Sequence, residues 1–175
     1  MPEDEADLRQ KLKTVHAYAV TPFQTGDVLS IDEQGFVGNL RFLVDRGAPV
    51  IAVGGGTGEI DALTPDELER LASLAFEAVG DEVLIIPSLP SNTGIAADLA
   101  CRYQKLGARI TLTLPPYQRG NIPDDLTGVL EHLRIIAAAA PGLSLMPYNT
   151  QGWSAEFFER LATVDAVIGV KDPCF

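Results

Sequence analysis

The chain has 175 residues, of which 46% are hydrophobic and 21% charged, a composition that fits a core-forming globular domain and excludes disordered, collagen-like and disulfide-scaffold proteins. Lys and Arg total 13 against 24 Asp and Glu, a net charge of −11. This acidic balance argues against a nucleic-acid partner or an anionic membrane surface, since both reward basic patches.

Residues 1–13 are acidic and lack an apolar centre, so they read as a polar arm or short helix and not as a signal peptide. Short runs rich in Val, Ile and Leu follow at 15–20, 50–53, 83–86, 110–114, 143–146 and 166–170. They are nearly continuous, as strands covered on both faces should be. Between them lie stretches of helical period: Phe36, Leu40, Leu43 and Val44 share one stripe, and Leu68, Leu71, Ala75 and Val79 another. Ser30 with Glu33, and Thr64 with Glu67, each fit a capping box, and Pro65 suits a first helical position. Gly47, Gly80, Gly107 and Gly142 stand where helices should stop. No apolar run approaches the roughly 20 residues that span a bilayer. Cys101 and Cys174 are far apart without metal-ligand spacing, and two unpaired thiols suit a reducing, cytoplasmic compartment.

Alternating strands and helices of this size give an α/β fold with a parallel sheet, in one domain over 14–175. Two architectures compete at this point, an open doubly wound sheet and a (β/α) barrel. The glycine run Gly54, Gly55, Gly56, Thr57, Gly58, Glu59 follows the second strand. No Lys-Ser/Thr follows it, and the spacing does not fit a dinucleotide fingerprint. A nest of backbone N–H groups beside the Thr57 hydroxyl could take a carboxylate or phosphate; the alternative is a tight turn. Lys171 closes an apolar run, where burial would depress its pKa and free a nucleophilic amine; the alternative is a lysine that has reached solvent. Tyr148 with Asn149 follows the fifth strand, and Tyr117 follows Pro115 and Pro116 at the end of the fourth. Either phenol could relay protons, or simply edge the core. Thr21 and Ser88 have lining roles at most. His16, His132 and Cys174 show no triad or metal context, and Trp153 is read as lining the pocket in preference to packing on the fifth helix. Thr57, Tyr117, Tyr148 and Lys171 all sit at strand C-terminal ends. A barrel gathers those ends on one face and an open sheet spreads them, so the set favours the barrel.

In this order the segments Thr21-Pro22-Phe23, Gly55 to Glu59 with Leu63-Thr64 following, Pro116-Tyr117, Tyr148-Asn149 and Gly169 to Asp172 resemble the dihydrodipicolinate synthase / N-acetylneuraminate lyase family of Schiff-base aldolases and dehydratases. The resemblance runs from about Thr14 onward. It implies a (β/α)8 TIM-type barrel, here represented by about six βα units. It also implies a lyase in which Lys171 forms an imine with the C2 carbonyl of a 2-keto acid, pyruvate or a keto-deoxy sugar acid. Tyr148 would be the general acid/base. Thr57 with the backbone of Gly56 would bind the carboxylate and link Tyr148 to Tyr117, with Thr21 and Asn149 as further substrate contacts. No metal or organic cofactor is implied, and a homo-oligomer, dimer or tetramer, is. Two departures stand out: Pro116-Tyr117 replaces a tyrosine pair, and Thr150-Gln-Gly-Trp153 lacks the arginine usual in dihydrodipicolinate synthases. The Gly-Gly-Thr-Gly-Glu form and Pro115-Pro116-Tyr117 look more similar to the 5-dehydro-4-deoxyglucarate dehydratase branch.

Two other readings compete. One is a truncated, inactive relative that binds small carboxylates or associates with partner subunits; the other is a phosphate-binding open-sheet protein. A closed eight-stranded barrel takes about 250 residues, so 175 residues predict an arc with unpaired edges, belonging to a longer polypeptide or stabilised by a partner.

Overall fold

The structure, a computed structural model, describes residues 5–116 and 122–173. Five strands, β1 (His16–Tyr18), β4 (Val50–Val53), β5 (Leu84–Leu89), β6 (Ile110–Thr113) and β7 (Ser144–Pro147), form one sheet in that order. Every neighbouring pair is parallel. Each crossover therefore moves one strand further in the same direction, as around a barrel; a doubly wound sheet would reverse direction at a switch point. The expected barrel-type architecture is the observed one.

The two faces of the arc sort by strand periodicity. Val50, Ala52, Leu84, Ile86, Ile110, Leu112 and Met146 turn inward and pack together with Ile168. Ile51, Val53, Ile85, Leu89 and Leu145 turn outward against the helices. The outer layer consists of α2 (Glu33–Asp45), α3 (Pro65–Val79), α4 (Thr93–Lys105), α5 (Thr127–Ala139) and α6 (Ala155–Leu161). Their buried stripes are the expected ones: Phe36 and Leu40 on α2, and Leu68, Leu71, Ala75 and Val79 on α3. Residues 5–11 form α1 (Glu5–Lys11), which is more than a solvated arm. Its Leu8 is buried in the inner core, and the Arg9 guanidinium donates to the Ile168 carbonyl at 2.6 Å.

Three local expectations need correcting. First, Ser30 does not cap α2. It lies in β3 (Asp27–Ile31), which pairs antiparallel with β2 (Phe23–Gln24) in a hairpin that the apolar pattern does not show. The Ser30 hydroxyl is committed to Asp27 Oδ2 at 2.6 Å, and the cap is Asp32, whose Oδ1 accepts from Gly35 N at 3.0 Å. The second capping box, Thr64 with Glu67, forms as expected. Second, 166–170 is not a continuous strand. It meets β7 only at Leu145↔Val167 and Tyr148↔Lys171, so three steps along β7 face four along this segment. Third, Trp153 packs on α6 where a lining role was expected: it is buried in the outer core, with its ring 5.1 Å from that of Phe157 and 6.1 Å from that of Phe158.

His132 on α5 is structural, as expected. Its Nε2 lies 3.1 Å from the Leu114 carbonyl, which can only accept, so Nε2 carries the proton and Nδ1 accepts from Thr93 Oγ1 at 2.9 Å. Burial drives its pKa down to about 4. The folded protein thus binds the proton more weakly than the unfolded chain. We expect full stability above about pH 6.5 and a progressive loss between there and pH 4. A Tm-versus-pH series checks this, with His132→Gln expected to flatten that window.

Candidate active site

The site is built around Lys171, and the backbone places it. Lys171 N donates to Pro147 O at 2.9 Å and Lys171 O accepts from Asn149 N at 2.9 Å, which pairs it with Tyr148. Paired residues of parallel strands point to the same face. Strict alternation from the inward Ile168 would turn Val170 inward and Lys171 outward. Instead Val170 packs against the outer core, and Lys171 joins Tyr148 on the inner side. The extra residue at Gly169-Val170 acts as a β-bulge and re-aims the side chain that follows it.

Lys171 Nζ lies 3.9 Å from the ring centroid of Tyr148 and 3.9 Å from that of Tyr18, at the end of β1. The ammonium thus sits between two aromatic faces. Partial burial holds its pKa below the ordinary lysine value, the direction a nucleophilic amine needs. The Tyr18 phenol is pushed up, first by burial and then by Tyr148. Tyr18 was not among the residues singled out from sequence. The available signal was its parity with the inward Ala52 across the β1–β4 register.

Asn149 is 1% exposed and acts as a strut. Its Oδ1 accepts from Trp153 N at 3.0 Å and from Gln151 N at 3.3 Å, while Nδ2 donates to Asp172 Oδ1 at 3.1 Å. It locks the turn after β7 to the residue following Lys171. Asn149→Ala would strand the buried Trp153 N–H at a cost of about 1–3 kcal/mol; we expect a matching loss in chemical denaturation.

The glycine loop is held from beneath. Thr21 is buried, and its hydroxyl donates to Gly58 O at 2.8 Å, so it anchors the loop to the end of β1. Gly54 has φ +60°, and a Cβ there would meet Leu68 Cδ2 at 2.9 Å. A Cβ on Gly58 would crowd the Ala19 carbonyl at 3.2 Å. These contacts keep both positions glycine, so part of the run is explained by close packing. Glu59 N and Ile60 N close the loop onto Gly56 O and Gly55 O. Gly56 and Thr57 are exposed at its tip, where their N–H groups and the Thr57 hydroxyl can meet an anion. No hydrogen bond joins Thr57 to Tyr148 among the described residues. Ser88, 1% exposed, points inward below Gly55, and its Oγ has no partner among the described residues. Tyr117 lies outside the described residues, as does Cys174.

A cleft of about 420 Å3 lies beside the lysine between β1 and the sixth segment, lined by residues including Arg9, Lys13, His16, Ile168 and Lys171. The larger clefts are at the strand N-terminal ends, around Pro141 and Asp165 or around Pro49 and Arg109, away from the lysine. Among the described residues no group of three or more His, Cys, Asp or Glu could hold a metal ion. No helix among them is long and apolar enough to cross a membrane.

Comparison with known proteins gives a consistent picture. The sequence model of the dihydrodipicolinate synthetase family matches residues 11–174. A 4-hydroxy-tetrahydrodipicolinate synthase of Acidothermus cellulolyticus is 34% identical over 159 residues, covering 87% of this chain and 50% of the relative. A probable 5-dehydro-4-deoxyglucarate dehydratase of Bacillus subtilis is 28% identical over 166 residues, covering 94% and 52%. The crystal structure of dihydrodipicolinate synthase from Oceanobacillus iheyensis superposes with a TM-score of 0.85 at 26% identity, over 96% of this chain and 55% of that one. N-acetylneuraminate lyase from Mycoplasma synoviae shares the fold, with a TM-score of 0.82 at 23% identity over 93% of this chain and 55% of that one. The chain spans about half the length of the curated relatives it matches.

Proposed function

The chain belongs to the dihydrodipicolinate synthetase family, and on that premise we propose that it carries the imine-forming part of a lyase acting on 2-keto acids, pyruvate or a keto-deoxy sugar acid. The observation that carries this reading is Lys171, re-aimed by the bulge to the inner face, partly desolvated and set against Tyr148. The uncharged amine attacks the C2 carbonyl, forming the C–N bond while one proton passes from the nitrogen to the carbonyl oxygen, which gives a neutral carbinolamine. The resulting hydroxyl leaves as water with a second proton, and the C=N bond forms. The iminium then accepts the electron pair released when a C–C bond breaks or a proton leaves C3.

The remaining roles are these. Tyr148 moves protons to and from the carbinolamine; it is the residue paired with Lys171 across the bulge, and its ring lies against Nζ. The Gly56 and Thr57 N–H groups with the Thr57 hydroxyl hold the carboxylate. Thr57 is further proposed as the link of a proton relay from Tyr148 to Tyr117, closed by the substrate, since no direct hydrogen bond joins Thr57 to Tyr148 among the described residues. Thr21 and Asn149 serve as supports, fixing the loop and the lysine segment. Activity belongs to the completed barrel, and the working unit is a homo-oligomer, a dimer or tetramer, acting in the cytoplasm, as a sequence with two cysteines set far apart suggests.

Borohydride treatment tests this reading. Intact mass should show one adduct when pyruvate or a keto-deoxy sugar acid is present and none without it. No adduct, with carboxylate binding retained, would favour the reading of a catalytically inactive relative.

A further inference from the structure

We propose that Tyr18 is a positioning residue of this site: its ring face, opposite that of Tyr148, clamps the cation at Lys171 Nζ. The proposal rests on the imine reading for its consequence and on geometry for its substance. Both rings lie 3.9 Å from Nζ by centroid, within the range over which an aromatic face attracts a cation. They come from opposite sides of the arc. Tyr18 ends β1, the first strand, while Tyr148 follows β7, the last. Both belong to the fringe of the inner core, so neither ring is a freely moving surface group. The lysine therefore bridges the two ends of the sheet.

Among the described residues Nζ has no ion-pair partner. Arg9 and Lys13, from α1 and the turn after it, and His16 of β1 line the same cleft and are basic. Asp172, next along the lysine's own segment, receives the Asn149 amide. Burial disfavours a charge on Lys171, and two ring faces restore part of that loss without supplying a counter-ion. The chemical consequence concerns the imine. The ammonium and the iminium are both cations at Nζ, whereas the carbinolamine between them has a neutral nitrogen. A ring-face clamp thus favours the iminium, the species that accepts electrons, over its neutral precursor. A carboxylate partner would also stabilise the resting ammonium, and more strongly.

Lysine labelled with 13C at Cε tests the clamp directly, because the chain has four lysines, at 11, 13, 105 and 171, and Lys171→Arg assigns the signal. The Lys171 Hε protons should resonate upfield of the other three, shifted by ring currents, with NOEs to both Tyr18 and Tyr148. Tyr18→Leu keeps bulk but removes the ring face. The amine fraction at neutral pH, read from the Cε titration, should then rise about two- to fivefold. Tyr18→Phe should titrate as the parent does. Contact with one ring only, a Tyr18→Leu titration like the parent's, or a Tyr18→Phe shift as large as that of Tyr18→Leu would each overturn the proposal. If Tyr18→Leu does not fold, the parent NOEs and Tyr18→Phe still decide. Borohydride trapping reads the imine chemistry separately, so the clamp and the lyase reading can fail independently.

Discussion

Lys171→Ala is expected to abolish borohydride trapping and turnover together while leaving the fold in place. Lys171 is half-buried and makes no side-chain hydrogen bond or ion pair with the described residues; the contacts described for Nζ are two ring faces. Stability should therefore change by no more than about 1 kcal/mol. Activity should fall to background, because no other described lysine is set between the two aromatic faces. Lys11, Lys13 and Lys105 lie on α1, in the turn after it, and at the end of α4. Tyr148→Phe separates the two roles at the site. It keeps the ring face against Nζ and deletes the phenol, so imine should still be trapped while turnover slows by about 10²- to 10⁴-fold. Circular dichroism, intact mass and steady-state rates on the three proteins distinguish these outcomes.

Inserting a glycine between Val170 and Lys171 should be as damaging to chemistry, by a route that spares every side chain at the site. The segment matches three steps of β7 with four of its own, from Val167 to Lys171. The insertion gives the place paired with Tyr148 to the new glycine, and a one-residue slip in an extended segment turns each following side chain to the opposite face. Lys171 then leaves the inner face and the two rings that flank it. Thermal melting should shift modestly, since the outer contacts of Val167 and the inner contacts of Ile168 precede the insertion. Borohydride trapping should be lost. Retention of trapping at the parent level would show that pairing with Tyr148 does not aim the lysine.

Much of the fold was legible because the strands are covered on both faces and therefore stand out as unbroken apolar runs. The first five appear where the runs are, with ends displaced by up to three residues. The barrel sense of winding came from the convergence of polar residues at strand ends, and the strand order agrees with it. What escaped has local physical causes. The β2–β3 hairpin has a two-residue strand, too short for any period to show. Ser30 and Asp32 both stand where a cap could be, and only the competing bond from Ser30 to Asp27 decides between them. The run 166–170 has the composition of a strand, and nothing in composition reveals one residue too many.

The site was legible to a similar depth. Lys171 and Tyr148 were chosen for their place at strand ends, and the structure brings them together. Asn149 and Thr21 were expected to face substrate, but their polar atoms are spent on Asp172, Trp153 and Gly58. A buried amide or hydroxyl beside a site looks the same in sequence whether it binds a ligand or holds a loop. Tyr18 carries no such signal, because a tyrosine within a strand has the sequence appearance of core; its contact with Lys171 depends on β1 and residues 166–171 meeting across the arc, which no local pattern encodes. Tyr117, the remaining member of the expected relay, falls outside the described residues.

The central claim is that Lys171 is the imine-forming residue, and peptide mapping after borohydride reduction with pyruvate or a keto-deoxy sugar acid tests it most directly. The account predicts an adduct on the peptide that contains Lys171 and none on those that contain Lys11, Lys13 or Lys105. An unmodified Lys171 with all of these substrates, or an adduct spread evenly over the four lysines, would contradict it.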